Sequence, residues 1–203
     1  MKVKAKPTTM TRKETKPKSI SEAAKPRTTL DIYVDASNWG IGLVVENYYA
    51  SWKFCALMDI NCAELLAIEM ALRFLLASGA NYFKPCSPDH PTPSITIHSD
   101  SHAAVVVFNG GKTNVKEMQE THARIEVLVE HLRCMISKLC ASKERKAEVR
   151  IEVKEIRSGE NVADPASKGK FCSQRLQGKQ LIKAAEVPLR LVDTLQVAPS
   201  ASS

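Results

Sequence analysis

The sequence predicts an α/β fold, a mixed five-stranded sheet with three strands in an antiparallel meander and two parallel, flanked by helices. Three observations carry that expectation. Residues 29–54 hold three apolar-rich runs separated by turn signals too short for a crossover, which makes them a meander. Runs 94–100 and 148–156 also read as strands, but each follows a helical stretch. Those stretches, 61–78 and 115–142, repeat apolar residues at intervals of three and four, the period of a helix with one buried face.

The first strand, 29–36, places Ile32 and Val34 on one face and Asp31, Tyr33 and Asp35 on the other. A second follows at 40–46, Asn47 marks a turn, and the third runs over 48–54. In the helix at 61–78 the stripe is Leu65, Ile68, Leu72, Leu75 and Leu76. Asn61 is its expected N-cap, with Glu64 three residues on as in a capping box, and Gly79 its stop. Prolines 85, 88, 91 and 93 make 80–93 a loop, and the strand at 94–100 ends on Asp100. A short helix over 101–108 stops at Gly110 and Gly111. The long helix at 115–142 presents Met118, Ile125, Leu128, Leu132, Met135 and Leu139. Residues 148–156 alternate cleanly, and a turn at Ser158–Glu160 leads into the segment 161–168. A last helix is expected near 175–185, before an unstructured end. The folded domain is thus placed at 29–172, with 173–203 as a C-terminal helix and tail.

Charge is concentrated outside that domain. Residues 1–28 hold nine Lys/Arg against Glu14 and Glu22, so the chain's net +7 resides there, and the remainder balances 20 basic with 20 acidic residues. So few large apolar side chains cannot offset the entropy of ordering, and a disordered basic tail is expected. Such an arm suits nucleic-acid phosphates, nuclear import or simple solubility, and composition does not choose among them. No apolar run of about 18 residues exists for a membrane span, and no apolar segment follows Met1. The six cysteines (55, 62, 86, 134, 140, 172) lack metal-finger spacing. The expectation is an intracellular protein, nuclear or cytoplasmic rather than secreted, with reduced thiols.

Four acids recur where elements begin or end. Asp35 and Asp100 close two strands, Glu64 opens a helix, and Asp164 follows the last strand and its turn. Singly each has a plain reading, as turn residue, first-turn helix acid or N-cap. Jointly they point to one cleft, because acids gathered without a cation repel one another, and hard divalent ions such as Mg²⁺ take oxygen ligands.

Read together, Tyr33-Val34-Asp35-Ala36-Ser37, Ala63-Glu64-Leu65-Leu66-Ala67, His98-Ser99-Asp100-Ser101 and Glu160-Asn161-Val162-Ala163-Asp164-Pro165-Ala166-Ser167-Lys168 resemble the ribonuclease H-like superfamily. The order Asp, Glu, Asp, Asp matches, over about residues 29–170. The tight Asn161–Lys168 ending is most similar to the ribonuclease H domain of reverse transcriptases from retroelements of the LTR-retrotransposon type. The resemblance implies a metal-dependent endonuclease that hydrolyses the RNA strand of RNA–DNA hybrids with two Mg²⁺ ions, for which Mn²⁺ could substitute. Asp35, Glu64, Asp100 and Asp164 are the implied catalytic and metal-binding residues, with Asp35 shared between the ions. The backbone at Ser37 and Asn38 and the side chains of Asn61 and Ser101 are the implied substrate contacts in the hybrid's minor groove, where the 2′-OH marks RNA. The implied partners are the hybrid and a reverse transcriptase polymerase domain, and no membrane.

Two departures bear on activity. Many members carry a histidine before the final Asp, and residues 157–163 hold none. Some carry a basic helix that grips the hybrid, where here only residues 112–116 separate two helices. Lys143, Arg145, Lys146 and the N-terminal arm are candidate substitutes for that helix. The alternative is a catalytically weak or inactive nucleic-acid-binding module, domesticated or part of a polyprotein. A third reading keeps the fold and changes the reaction. Exonucleases of this architecture place Asp-x-Glu on the first strand, where this chain has Asp35-Ala36-Ser37, and integrases generally lack an acid in the first helix.

Overall fold

The computed structural model describes residues 29–54, 57–78, 82–83, 93–140, 149–182 and 197–199. The basic arm, Gly79, most of the proline loop and the cluster Lys143, Arg145 and Lys146 lie outside the described residues.

Strands β1 (Thr29–Ala36), β2 (Gly40–Val45) and β3 (Tyr48–Phe54) form the meander. Helix α1 (Ile60–Ser78), β4 (Ser94–Ser99), α2 (His102–Phe108), α3 (Lys116–Cys140) and β5 (Arg150–Glu155) follow. A 3₁₀ turn at Ser158–Glu160 and the single-turn helix α4 (Asp164–Ser167) come next. The sheet runs β5-β4-β1-β2-β3, with β1, β4 and β5 mutually parallel and β1–β2–β3 antiparallel. The expected mixed sheet is present, and it is wider than five strands. Two short edge strands, β6 (Gln180–Leu181) and β7 (Val197–Pro199), add to β3.

Helices α1, α2 and α3 cover one face. Leu65, Leu66, Ile68, Leu72 and Leu75 of α1 are buried with Ile32, Val34, Ile95 and Ile97 of β1 and β4. Each such side chain contributes about 1.5–3 kcal/mol by leaving water. A smaller cluster on the opposite face joins Val44 and Tyr49 to Ala163, Ala166 and Leu176. Helices α1 and α3 are also tied by charge. The fully buried Glu69 accepts from Arg73 Nε at 2.9 Å and from Arg124 Nη2 at 3.0 Å.

Two local expectations are corrected. The N-cap of α1 is Asp59, whose Oδ1 accepts from the backbone N–H groups of Asn61 (2.9 Å) and Cys62 (3.2 Å). Asn61 is therefore inside the helix, and Glu64 sits more than one turn in rather than in the opening turn. No helix spans 175–182. A 3₁₀ turn at Gln174–Leu176 is broken by Gly178 at φ 78°, and Gln180 and Ile182 then donate to Asn47 and Tyr49 carbonyls at 2.7 and 2.8 Å. The open edge of β3 outcompetes the helix for those donors. Among the described residues, no helix is long and apolar enough to cross a membrane.

Candidate active site

The parallel pairing of β1 with β4 sets Tyr33 opposite His98. Two residues further along each chain, Asp35 and Asp100 reach the same level at the strands' C-terminal ends. Glu64 enters from α1. One carboxylate oxygen from each of Asp35, Glu64 and Asp100 lies within 4.8 Å of the others. Asp35 and Glu64 are buried and Asp100 is half-buried. Asp164, at the start of α4, is not in that trio. Its carboxylate accepts from Lys168 Nζ one turn later, although its charge is felt by Asp35.

Burial dominates the electrostatics. It pushes Asp35 up to about 7, with the Asp100 and Asp164 charges adding to the rise and a hydrogen bond from Ser167 opposing it. Glu64 is pushed up to about 8 by burial first, then by Asp35 and Asp100, with the Ala36 N–H pulling down. Among the described residues, Glu64 Oε2 is buried with no hydrogen-bond partner. An all-oxygen donor set with an orphaned acceptor fits a hard divalent cation, which would supply the missing positive charge.

The segment after β5 does more than deliver Asp164. Asn161 is fully buried, and its Nδ2 donates to Val34 O (2.8 Å), Asp100 Oδ1 (2.9 Å) and Asp35 Oδ1 (3.3 Å). Ser167, also fully buried, donates from Oγ to Asp35 Oδ2. Helix α4 can approach this closely because β2 offers Gly42, where a Cβ would stand 2.4 Å from Ser167 N and 2.5 Å from Ala163 O. Ser51 and Ser37 hydroxyls then donate to the Ala166 and Ser167 carbonyls, both at 2.7 Å. Gly42, Ser51 and the roles of Asn161 and Ser167 were not anticipated. The signal available was the unbroken motif 161–168.

Of the four expected substrate contacts, Asn38 and Asn61 are exposed, and two others have structural partners. Ser37 organises the β1–β2 turn, accepting from Trp39 N at 3.1 Å, and Ser101 caps α2, accepting from Ala104 N at 3.3 Å. His98 packs flat on Tyr33, centroids 4.6 Å apart, with Nε2 2.8 Å from Asp31 Oδ1. Trp39 packs on Gly169 and edge-on to Phe171 at 6.2 Å, so its ring braces the α4 corner.

No protein-family model matches the chain, and no curated protein matches its sequence. Solved structures do match in shape. One is the N-terminal ribonuclease H domain of Rv2228c from Mycobacterium tuberculosis, solved as a fusion with maltose-binding protein. It has 15% identity and a TM-score of 0.50, over 70% of this chain and 97% of that one. Another is LC11-RNase H1, isolated from compost by a metagenomic approach, with 18% identity and a TM-score of 0.50, over 72% of this chain and 97% of that one. The fold is that of ribonuclease H.

Proposed function

We propose that the chain is a metal-dependent endoribonuclease of ribonuclease H type, hydrolysing the RNA strand of RNA–DNA hybrids. The observation that carries the reading is the convergence of Asp35, Glu64 and Asp100 from three elements into a buried trio with an orphaned oxygen. Two of the matched structures, both ribonucleases H by name, share its fold and support the choice of chemistry. Asp35, Glu64 and Asp100 would hold one Mg²⁺, and Asp164 with Asp35 a second. Such ions, when bound, supply a nucleophilic water and a Lewis acid for the leaving oxygen. The carboxylates of this chain keep the cleft anionic and oxygen-lined. Hydrolysis breaks the P–O3′ bond of the RNA and leaves a 3′-hydroxyl and a 5′-phosphate. We further assign the domain to the retroelement type on its Asn161–Lys168 segment, with a reverse transcriptase polymerase domain as the partner that adds grip on the hybrid.

The test is cleavage of hybrid, duplex DNA and single-stranded RNA by the full chain in Mg²⁺, beside Asp35→Asn. Hybrid cleavage with 5′-phosphate products, absent in the variant, is expected. Cleavage of duplex DNA alone would move the chain to the transposase and integrase class. A second reading, a hybrid-binding module without turnover, is favoured by one observation, the engagement of Asp164 by Lys168 outside the trio. Metal-independent hybrid binding by folded protein that cleaves nothing would establish it and overturn the first.

A further inference from the structure

We propose that Asn161 and Ser167 are positioning residues that orient Asp35 and Asp100 for a divalent cation, by holding each oxygen of the Asp35 carboxylate and bridging it to Asp100. The proposal rests on the metal-dependent reading above. An aspartate's terminal torsion is broad, so nothing within Asp35 fixes the plane of its carboxylate. Two donors fix it from outside. Asn161 Nδ2 meets Oδ1 and Ser167 Oγ meets Oδ2, so each oxygen has one acceptor site filled and keeps another for a cation.

The orientation of the Asn161 amide is set independently. Its Oδ1 accepts from Ala163 N at 3.1 Å, so Nδ2 must face the acids. One of its two hydrogens is directed to Val34 O at 2.8 Å, the main chain beside Asp35. The other is left to Asp100 Oδ1 and Asp35 Oδ1, at 2.9 and 3.3 Å. A single N–H shared by two carboxylates fixes the spacing of like charges that would otherwise splay apart. Both residues are fully buried, and α4 is anchored by the Ser37 and Ser51 hydroxyls and seated on Gly42. The segment is therefore rigid against the sheet, as outer groups that aim ligands must be.

The test is calorimetric titration of Mn²⁺ into the full chain and its Ser167→Ala and Asn161→Ala variants, with circular dichroism reporting the folded fraction. Loss of such outer groups weakens metal binding by about 10–100-fold, and that loss is expected in both variants among folded molecules. A purely structural role would lower the melting temperature and leave Mn²⁺ affinity unchanged, which would overturn the proposal. A silent variant beside an affected one overturns the arm that stays silent. Ser167→Ala removes one hydroxyl, so the Ser167 arm decides should Asn161→Ala not fold. Wild-type protein that binds no Mn²⁺ would instead sink the metal-dependent reading itself.

Discussion

Helix α1 buries two glutamates five residues apart, and the sequence treats them in opposite ways. Glu69 is fully buried and receives both Arg73 and Arg124. Glu64 is 8% exposed and receives one backbone N–H, while one oxygen has no partner and two aspartates stand beside it. Burying a carboxylate is costly wherever it occurs. The described residues meet that cost at Glu69 with guanidinium groups and leave it unmet at Glu64. Burial of an acid is therefore a poor guide to function here. The informative feature is a buried acid without a cation, in a molecule that provides cations to another acid on the same helix.

The comparison breaks most visibly at Asp35. Asp35→Asn removes a charge from the unpaired cluster while keeping its shape. Hybrid cleavage should fall by at least about a hundredfold, the scale on which a single preorganised polar group acts in catalysis. In chelator, and above pH about 7 where Asp35 has lost its proton, the same variant should melt higher than wild type, because a like-charged, desolvated group has been neutralised. Activity and melting temperature moving in opposite directions is the signature of a functional acid, and a variant that loses both would place Asp35 among structural residues.

Glu69→Ala should do the reverse. It leaves Arg73, 8% exposed, without its buried partner, and breaks the tie between α1 and α3. Breaking buried pairs costs about 3–5 kcal/mol, and the low end applies because Arg124 is 35% exposed. The melting temperature should drop by roughly 6–12 °C, while Mn²⁺ affinity of the remaining folded protein stays as in wild type. Weakened metal binding in Glu69→Ala would erase the contrast between the two glutamates.

Acidity sharpens the contrast without mutation. Asp35 and Glu64 rise from 3.8 and 4.5 to about 7 and about 8. Between those limits the native state keeps protons that the unfolded chain has released, so stability falls as pH rises. Metal-free protein should be most stable near the lower edge of that window and lose stability as pH climbs through about 7 for Asp35 and about 8 for Glu64. A divalent cation replaces the protons, so the gain in melting temperature on adding Mg²⁺ should be larger at pH about 8 than at pH about 5.5. Thermal melts at the two pH values, with metal and with chelator, measure it, and a pH-independent gain would contradict the trio as the site.

Much of this was legible in the sequence because it follows from local period. Alternation in 29–36 and 94–100 put Asp35 and Asp100 at strand ends, and the intervening helix made those strands parallel. What was illegible depends on partners far along the chain. Gln180 becomes a strand because the β3 edge is open, and Gly42 is needed because α4 sits against β2. Ser167 finds Asp35 across 132 residues, a pairing no window of sequence contains. Asp59 is a different case. It stands two residues before Asn61, and a single-residue choice between adjacent capping types is settled by where the backbone turns.

The smallest expected effect concerns the acid that falls between the two glutamates. Asp164 is paired, like Glu69, and near the trio, like Glu64. Its partner Lys168 is four residues on, with side chains 24% and 44% exposed, a pairing that can exchange with solvent. An exposed pair of this kind is worth less than about 1 kcal/mol, so Lys168→Met should shift stability by no more than that. If Asp164 is a metal ligand, the Lys168 ammonium competes with the cation for it. Removing the competitor should then tighten the weaker Mn²⁺ site by about three- to fivefold, the equivalent of that same energy. An unchanged titration would leave Asp164 as a helix-start acid paired along its own turn, and the trio as the whole of the metal site.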